Sequence, residues 1–361
     1  MRVVVLGLSL SSSWGNGHAT TWRALLRALA ARGHEILFLE RDVPWYADHR
    51  DLADPDFCRL ELYADLADLR DWRREIAAAD AVIVGSFVPD GVAVGRLVQE
   101  WARGVVAFYD IDTPVTLARL ARGEHDYLSP EVMRGYDLYL SFTGGPLLDL
   151  LQRQYGVRMA RVLYCSADPA GGVPQAVPLR WDLSYLGTWS EDRQPGLDRL
   201  LLQPARRAPG LRFVVAGAQY PADIAWPSNV ERIEHVPPSE HAAFYAASRF
   251  TLNLTRADMR RAGWSPSVRL FEAAVCGAPV ISDTWPGLTA LFRPGEEILQ
   301  AETGEEVLAA LQGTADPRRR AIAAAARARV LAAHTPAHRA AELEAYLGAA
   351  AREAGKREMA L

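Results

Sequence analysis

Short apolar runs alternate with amphipathic stretches along nearly the whole chain. Residues 2–8 (RVVVLGL) suit a strand buried on both faces. A Ser- and Gly-rich loop runs from Ser9 to His18. Residues 20–32 then set Trp22, Leu25, Leu26 and Leu29 at helical spacing. Gly33 ends that helix, and residues 35–39 read as a second strand. A β–α–β opening of this length predicts a parallel sheet. The same rhythm predicts strands near 57–62, 81–85, 105–109, 138–142 and 161–164. Helices are expected between them over 72–79, 90–102, 114–122 and 147–155.

The periodicity lapses in a stretch rich in Pro, Gly and Ala, which predicts a linker over 167–181. A second series follows. Strands are expected at 183–186, 213–216, 230–233, 250–254 and 280–281, and helices at 195–202, 241–247 and 268–275. From Asp316 the chain reads as Ala/Arg-rich helix. Thr335 and Pro336 interrupt it before a last helix from 337 to about 350. The expectation is an α/β protein of two Rossmann-like doubly wound domains, residues 1–166 and 182–335, with a C-terminal helix over 336–361. Ligands belong at the C-terminal ends of the parallel strands.

Composition narrows the function. The chain has 361 residues, half of them apolar, with a net charge of −4. That is ample for two cores. No basic stripe argues for nucleic acid, and no apolar run approaches the ~20 residues of a membrane span. The N-terminal run passes into a Gly loop rather than a cleavage site, so it reads as a strand and not a signal peptide. Cys58, Cys165 and Cys276 are odd in number and widely spaced, which fits a reducing cytoplasm and neither a disulfide framework nor a zinc site. Lys356 is the one lysine; the Ala- and Arg-rich composition resembles that encoded by a GC-rich bacterial genome. Any phosphate contact must therefore come from arginine, backbone N–H groups or hydroxyls.

Several clusters lie where the predicted strands end. In the first loop, Gly15 and Gly17 precede His18. They form a plain turn, or they let a ligand approach while His18 serves as a base. Asp110 and Asp112 follow a strand; Asp112 is a helix cap or part of a site. Glu124, His125, Asp126 and Tyr127 come next on a loop. Gly144 and Gly145 allow close approach of a ligand or tight packing. In the second half, Gly187 and Thr188 with Arg193 beyond suit a diphosphate, and Gly217 repeats the pattern. Arg256 follows a strand end and is either solvated or a phosphate clamp. The stretch SPSVRLFEAAVCGAPVISDTWPGL (265–288) reads as helix, turn, buried strand and loop. Ser267 stands near its start. Arg269 and Glu272, three apart, form a surface ion pair or face a ligand.

These stretches resemble the CgeB-like, spore-maturation-type members of glycosyl transferase group 1. The residues that carry the likeness are YDIDTPVTLARL (109–120), DLYLSFTGGP (137–146), YLGTWSEDRQP (185–195), RADMRRAGWSPSVRLFEAAVCGAPVISDTWPGL (256–288) and PGEEIL (294–299). The resemblance implies the GT-B fold, with the two domains facing across a cleft. It implies a metal-independent glycosyltransferase of hexosyl type, whose co-substrate is a nucleoside diphosphate sugar and which holds no other cofactor. Glu272 would hold the ribose, and Ser267, Arg269 and Arg256 with Gly187, Thr188, Arg193 and Gly217 the diphosphate. His235 and Val236 would meet the base. His18 and Asp112 would be catalytic, with Gly15, Gly17, Asp110, Gly144 and Gly145 on the side of a small-molecule, glycan or protein acceptor. The likeness breaks at one point. Retaining group 1 enzymes often carry a glutamate eight residues before the helix glutamate, and Trp264 stands there. A sugar-nucleotide epimerase of the same shape, and a non-catalytic envelope or spore-coat binding protein, are the alternatives.

Overall fold

The computed structural model describes residues 1–15 and 17–358, which divide into two compact units. Unit one comprises residues 1–164 and the C-terminal residues from 336; unit two comprises residues 165–335. The C-terminal helix Pro336–Glu358 is thus part of unit one rather than a segment apart. Arg32 and His34 both contact Glu344 on it, and the hydrogen bond from Arg32, joined by that of His34, holds the carboxyl down at about 2 against burial.

Unit one holds seven parallel strands: β1 (Arg2–Gly7), β2 (Glu35–Arg41), β3 (Arg59–Tyr63), β4 (Ala81–Gly85), β5 (Val105–Asp110), β6 (Leu138–Ser141) and β7 (Ala160–Val162). Their order is β3-β2-β1-β4-β5-β6-β7, so the winding reverses between β1 and β4. Strands β1, β4 and β5 are apolar almost throughout because helices cover both faces, and β2 is as deeply buried but carries Glu40 near its end. Trp22, from the helix His18–Ala31, is fully buried edge-on to Phe38 and Tyr109.

Unit two holds six parallel strands: β8 (Trp181–Leu186), β9 (Phe213–Ala216), β10 (Val230–Ile233), β11 (Ser248–Asn253), β12 (Val280–Ser282) and β13 (Leu299–Gln300). Their order is β10-β9-β8-β11-β12-β13, which reverses between β8 and β11. The residues before β8 carry no helix or strand and lie in this unit. The helices of this unit differ from the sequence reading in detail. The helix expected over 195–202 continues to Arg207 through a π turn at Asp198–Leu202. Pro204 has no N–H for the α ladder there, and the wider turn accommodates it. The helix Gly304–Gly313 escaped the periodicity. Its start is nevertheless written in the sequence, as the capping box of Thr303 and Glu306.

Candidate functional site

In unit one the loop after β1 is held by two carboxylates. Glu40, near the end of β2, is fully buried. It accepts hydrogen bonds from Leu10 N at 2.6 Å, Ser11 N at 2.9 Å, Ser11 Oγ at 2.6 Å and Ser9 Oγ at 3.2 Å. Asp51 accepts from Ser13 N and Oγ and takes a bidentate pair from Arg23 at 2.6 and 2.9 Å. Burial pushes the Asp51 carboxyl up, but Arg23 and Ser13 outweigh it and hold it well below the usual range. Neither anchor stands out in sequence, since Glu40 lies 29 to 31 residues and Asp51 38 residues from the loop residues they hold.

This pinned loop delivers His18 to the first turn of its helix. Gly17 supplies no capping side chain, and neither Gly15 nor Gly17 has a neighbour within 4 Å of an added Cβ. His18 does not stand out into solvent. It is 7% exposed, edge-on to Phe87 at 5.6 Å, with Nε2 3.5 Å from Asp112 Oδ2. Its Nδ1 is buried with no partner among the described residues. Phe87, just past β4, adopts φ 62°, a backbone conformation that non-glycine residues avoid. The His18–Asp112–Phe87 group therefore lies at the strand ends where unit one reverses its winding.

Asp110 belongs to the framework rather than to a surface a ligand can touch. It is fully buried and accepts from Tyr139 Oη at 2.5 Å, Thr116 Oγ1 at 2.8 Å and Asp112 N at 3.2 Å. Burial raises its pKa to about 6 in spite of these bonds. It fixes the turn that presents Asp112, which caps no N–H through its side chain. Glu124 and Asp126 are paired with Arg122 and Arg119, and Tyr127 is buried. Gly144 is a packing glycine: a Cβ there would meet Tyr164 Oη at 2.3 Å. Gly145 takes φ 61°, ψ −147° to start the next helix.

In unit two the loops after β8 and β9 interlock. Gly187 N donates to Ala216 O at 2.8 Å, and a Cβ on Gly217 (φ 146°) would lie 2.1 Å from Gly187 O. Arg193 stabilises this loop from within, donating to Thr188 O at 2.6 Å and Ser190 Oγ at 2.7 Å. His235 is exposed, while Val236 is buried and its carbonyl lies 3.2 Å from His241 Nε2.

The helix Val268–Val275 approaches the strand ends where the order reverses. Ser267, its N-cap, donates to Asn253 Oδ1 at 2.6 Å. Arg269 turns away from Glu272. It donates to Leu186 O at the end of β8 and, at 3.3 Å, to Asn253 Oδ1 at the end of β11. Its guanidinium lies 4.7 Å from the centre of the Tyr185 ring, and a Cβ on Gly187 would come within 2.6 Å of Nη2. All these partners are neutral; Arg269 has no carboxylate partner among the described residues. Glu272, one turn on and half-buried, makes no side-chain hydrogen bond or ion pair among them. The surface ion pair that the spacing allowed is not formed.

Arg256 differs. Its Nε is 3.4 Å from Asp192, which also accepts from Ala257 N, so a carboxylate already answers its charge. Behind the site, Asp283 is 4% exposed and accepts from Thr255 N and Oγ1 at 3.0 and 2.8 Å. Trp264 takes φ 44°, and its N–H bonds Pro286 O. Its ring lies where a Cβ on Gly287 would fall. The indole is thus part of the Pro286–Gly287 turn, at the position where the expected carboxylate would have stood.

Residues 193–345 match a family model described as glycosyl transferase-like. Among solved structures, the chain is similar to a sucrose-phosphate synthase from Thermosynechococcus elongatus, at 16% identity over 97% of this chain and 100% of that one, with a TM-score of 0.69. An α-glucosyltransferase in complex with UDP gives 12% identity over 96% and 100%, with a TM-score of 0.70. The Anabaena protein HepE in complex with UDP-glucose gives 13% over 97% and 100%, with a TM-score of 0.67. The fold is that of these GT-B glycosyltransferases, built from two Rossmann-like parallel-sheet units. No curated protein matches the chain. No helix among the described residues is long and apolar enough to cross a membrane.

Proposed function

We propose that this chain is a glycosyltransferase that moves a hexosyl group from a nucleoside diphosphate sugar to an acceptor hydroxyl, as a CgeB-like, metal-independent enzyme of the cytoplasm. The observation that carries the reading is in unit two. A guanidinium answered only by neutral groups and a carboxylate with no partner lie one turn apart on one helix, where the sheet reverses. A diphosphate suits the first and a ribose diol the second. The glycosyl transferase-like match over this region, and the similar structures in complex with UDP and UDP-glucose, support the same reading.

In this reaction the acceptor oxygen bonds to the anomeric carbon, the bond from that carbon to the β-phosphate oxygen breaks, and the nucleoside diphosphate leaves with the electron pair. Arg269, aided by the N–H groups opening its helix, stabilises the negative charge that develops there. In unit one, Asp112 is the more exposed member of the pair with His18, at 27% against 9% of the side chain. Asp112 takes the acceptor proton and His18 steadies its charge.

Glu272→Gln tests the assignment, because this substitution disturbs no internal hydrogen bond. A charge-assisted hydrogen bond is worth ~1.5–3 kcal/mol, so the KM for the donor rises about 10- to 150-fold with thermal stability unchanged. A folded variant with a wild-type donor KM would refute it.

A further inference from the structure

The loop that carries His18 also carries an aromatic cluster that the chemistry above does not use. Trp14 stacks on His49 with ring centres 4.2 Å apart and planes 15° from parallel. Trp45 meets Trp14 edge-on at 4.9 Å. Trp45 is 58% exposed and Trp14 37%, in a protein whose other tryptophans are more buried than these. Exposing indole surface costs free energy unless something covers it.

The shelf is fixed in place. Trp14 N donates to Ser12 Oγ at 3.3 Å, and Ser12 Oγ donates to His49 O at 2.8 Å. Ser13 is bound by Asp51, which Arg23 clamps. The loop under Trp14 and His49 is thus already ordered, so a ligand settling against the cluster has little of that loop left to order.

Charge selects among the ligands that stack on indole. Residues 42–56 hold five aspartates and one arginine. Asp42 pairs with Arg50, and Asp51 with Arg23. Asp48, Asp54 and Asp56 are exposed and have no side-chain partner among the described residues. Asp48 lies three positions after Trp45, at the end of the same short helix. Single-stranded nucleic acid also stacks on aromatic rings, but it needs cations for its phosphates. Exposed carboxylates beside an indole face suit a ring with an apolar face and hydroxyl donors at its edge.

We infer that Trp45, supported by Trp14 and His49, is a platform for a sugar ring of the acceptor, and that the acceptor is a neutral or amino-sugar glycan rather than a phosphate-bearing polymer. The inference rests on the transferase reading above and deepens it. The test applies fluorescently labelled full-length protein to an array of neutral, amino-sugar, sialylated and phosphorylated glycans together with a 13-mer single-stranded DNA. A separate thermal-shift series uses UDP, GDP, TDP and ADP. Retention is expected on neutral or amino-sugar glycans only. Trp45→Ala should cut it about fivefold or more, since aromatic contacts carry specific energy beyond area. Trp45→Phe should restore most of it, and the nucleotide shift should stay as in wild type in both variants. The inference falls if no neutral or amino-sugar glycan is retained, if retention ignores Trp45→Ala, or if the DNA or the anionic glycans are preferred. Absence of any nucleotide shift in the wild type would instead overturn the donor reading.

Discussion

Arg269 reaches strand ends from its helix and Arg256 follows one in sequence, and the two should respond very differently to removal. Arg269 is held by Leu186 O, Asn253 Oδ1 and the face of Tyr185, none of which offsets its charge. A nucleoside diphosphate bound there gains at least one charge-assisted hydrogen bond, worth about 1.5–3 kcal/mol, or about 10- to 150-fold in Kd. Arg256 must first leave Asp192, and removing it gives up little. Arg269→Ala should therefore weaken the tightest-binding nucleoside diphosphate by about 10- to 150-fold in isothermal titration, while Arg256→Ala changes it less than about threefold. Arg269→Lys should fall between, because it keeps the charge and loses the planar fork. Folding sets a limit on the experiment. Truncation leaves Leu186 O short of a donor, whereas Asn253 Oδ1 keeps Ser267 Oγ at 2.6 Å. The stability loss should be about 1–2 kcal/mol, a shift of a few degrees that leaves the variant folded at room temperature. A folded Arg269→Ala that binds within about threefold of wild type, or an Arg256→Ala with the larger loss, would refute the reasoning.

Two further outcomes concern the supports of the two sites. Burial raises Asp283 from 3.8 to about 6, against the opposing bonds from Thr255. A carboxyl with a raised folded-state pKa favours folding below about pH 4 and loses that advantage as pH rises through 6. Wild type should thus lose about 3 kcal/mol from this group between pH 4 and 7 relative to Asp283→Asn, and urea titrations across that range would show it. Glu40→Ala should strip the loop after β1 of its four hydrogen bonds, at a cost of about 2–4 kcal/mol, and speed amide hydrogen exchange at Leu10 and Ser11. Glu40→Gln should be milder, since the Ser9 and Ser11 hydroxyls can reverse their bonds; equal exchange in wild type and Glu40→Ala would show that the carboxylate does not hold the loop.

Local chemistry made the architecture legible. Parallel strands buried on both faces leave unbroken apolar runs, and amphipathic helices leave a 3.6-residue period, so β1, β4, β5 and β9 stand out in sequence. The helix Val268–Val275 and its Gly-Ala-Pro stop were equally plain. What the sequence could not decide were choices between partners far apart in the chain. Spacing offered Arg269 to Glu272, but the fold gave it Leu186 and Asn253 and left the carboxylate open. Asp110 and Asp112 are two residues apart and read alike; burial made one a strut and left the other at His18. Glu40, Asp51 and Trp45 carried no local signal, because each acts on a loop that tertiary contacts bring to it. Periodicity records whether a position faces a core, which each residue reports for itself. The partner of a charge depends on which strand ends meet, and only the folded chain supplies that.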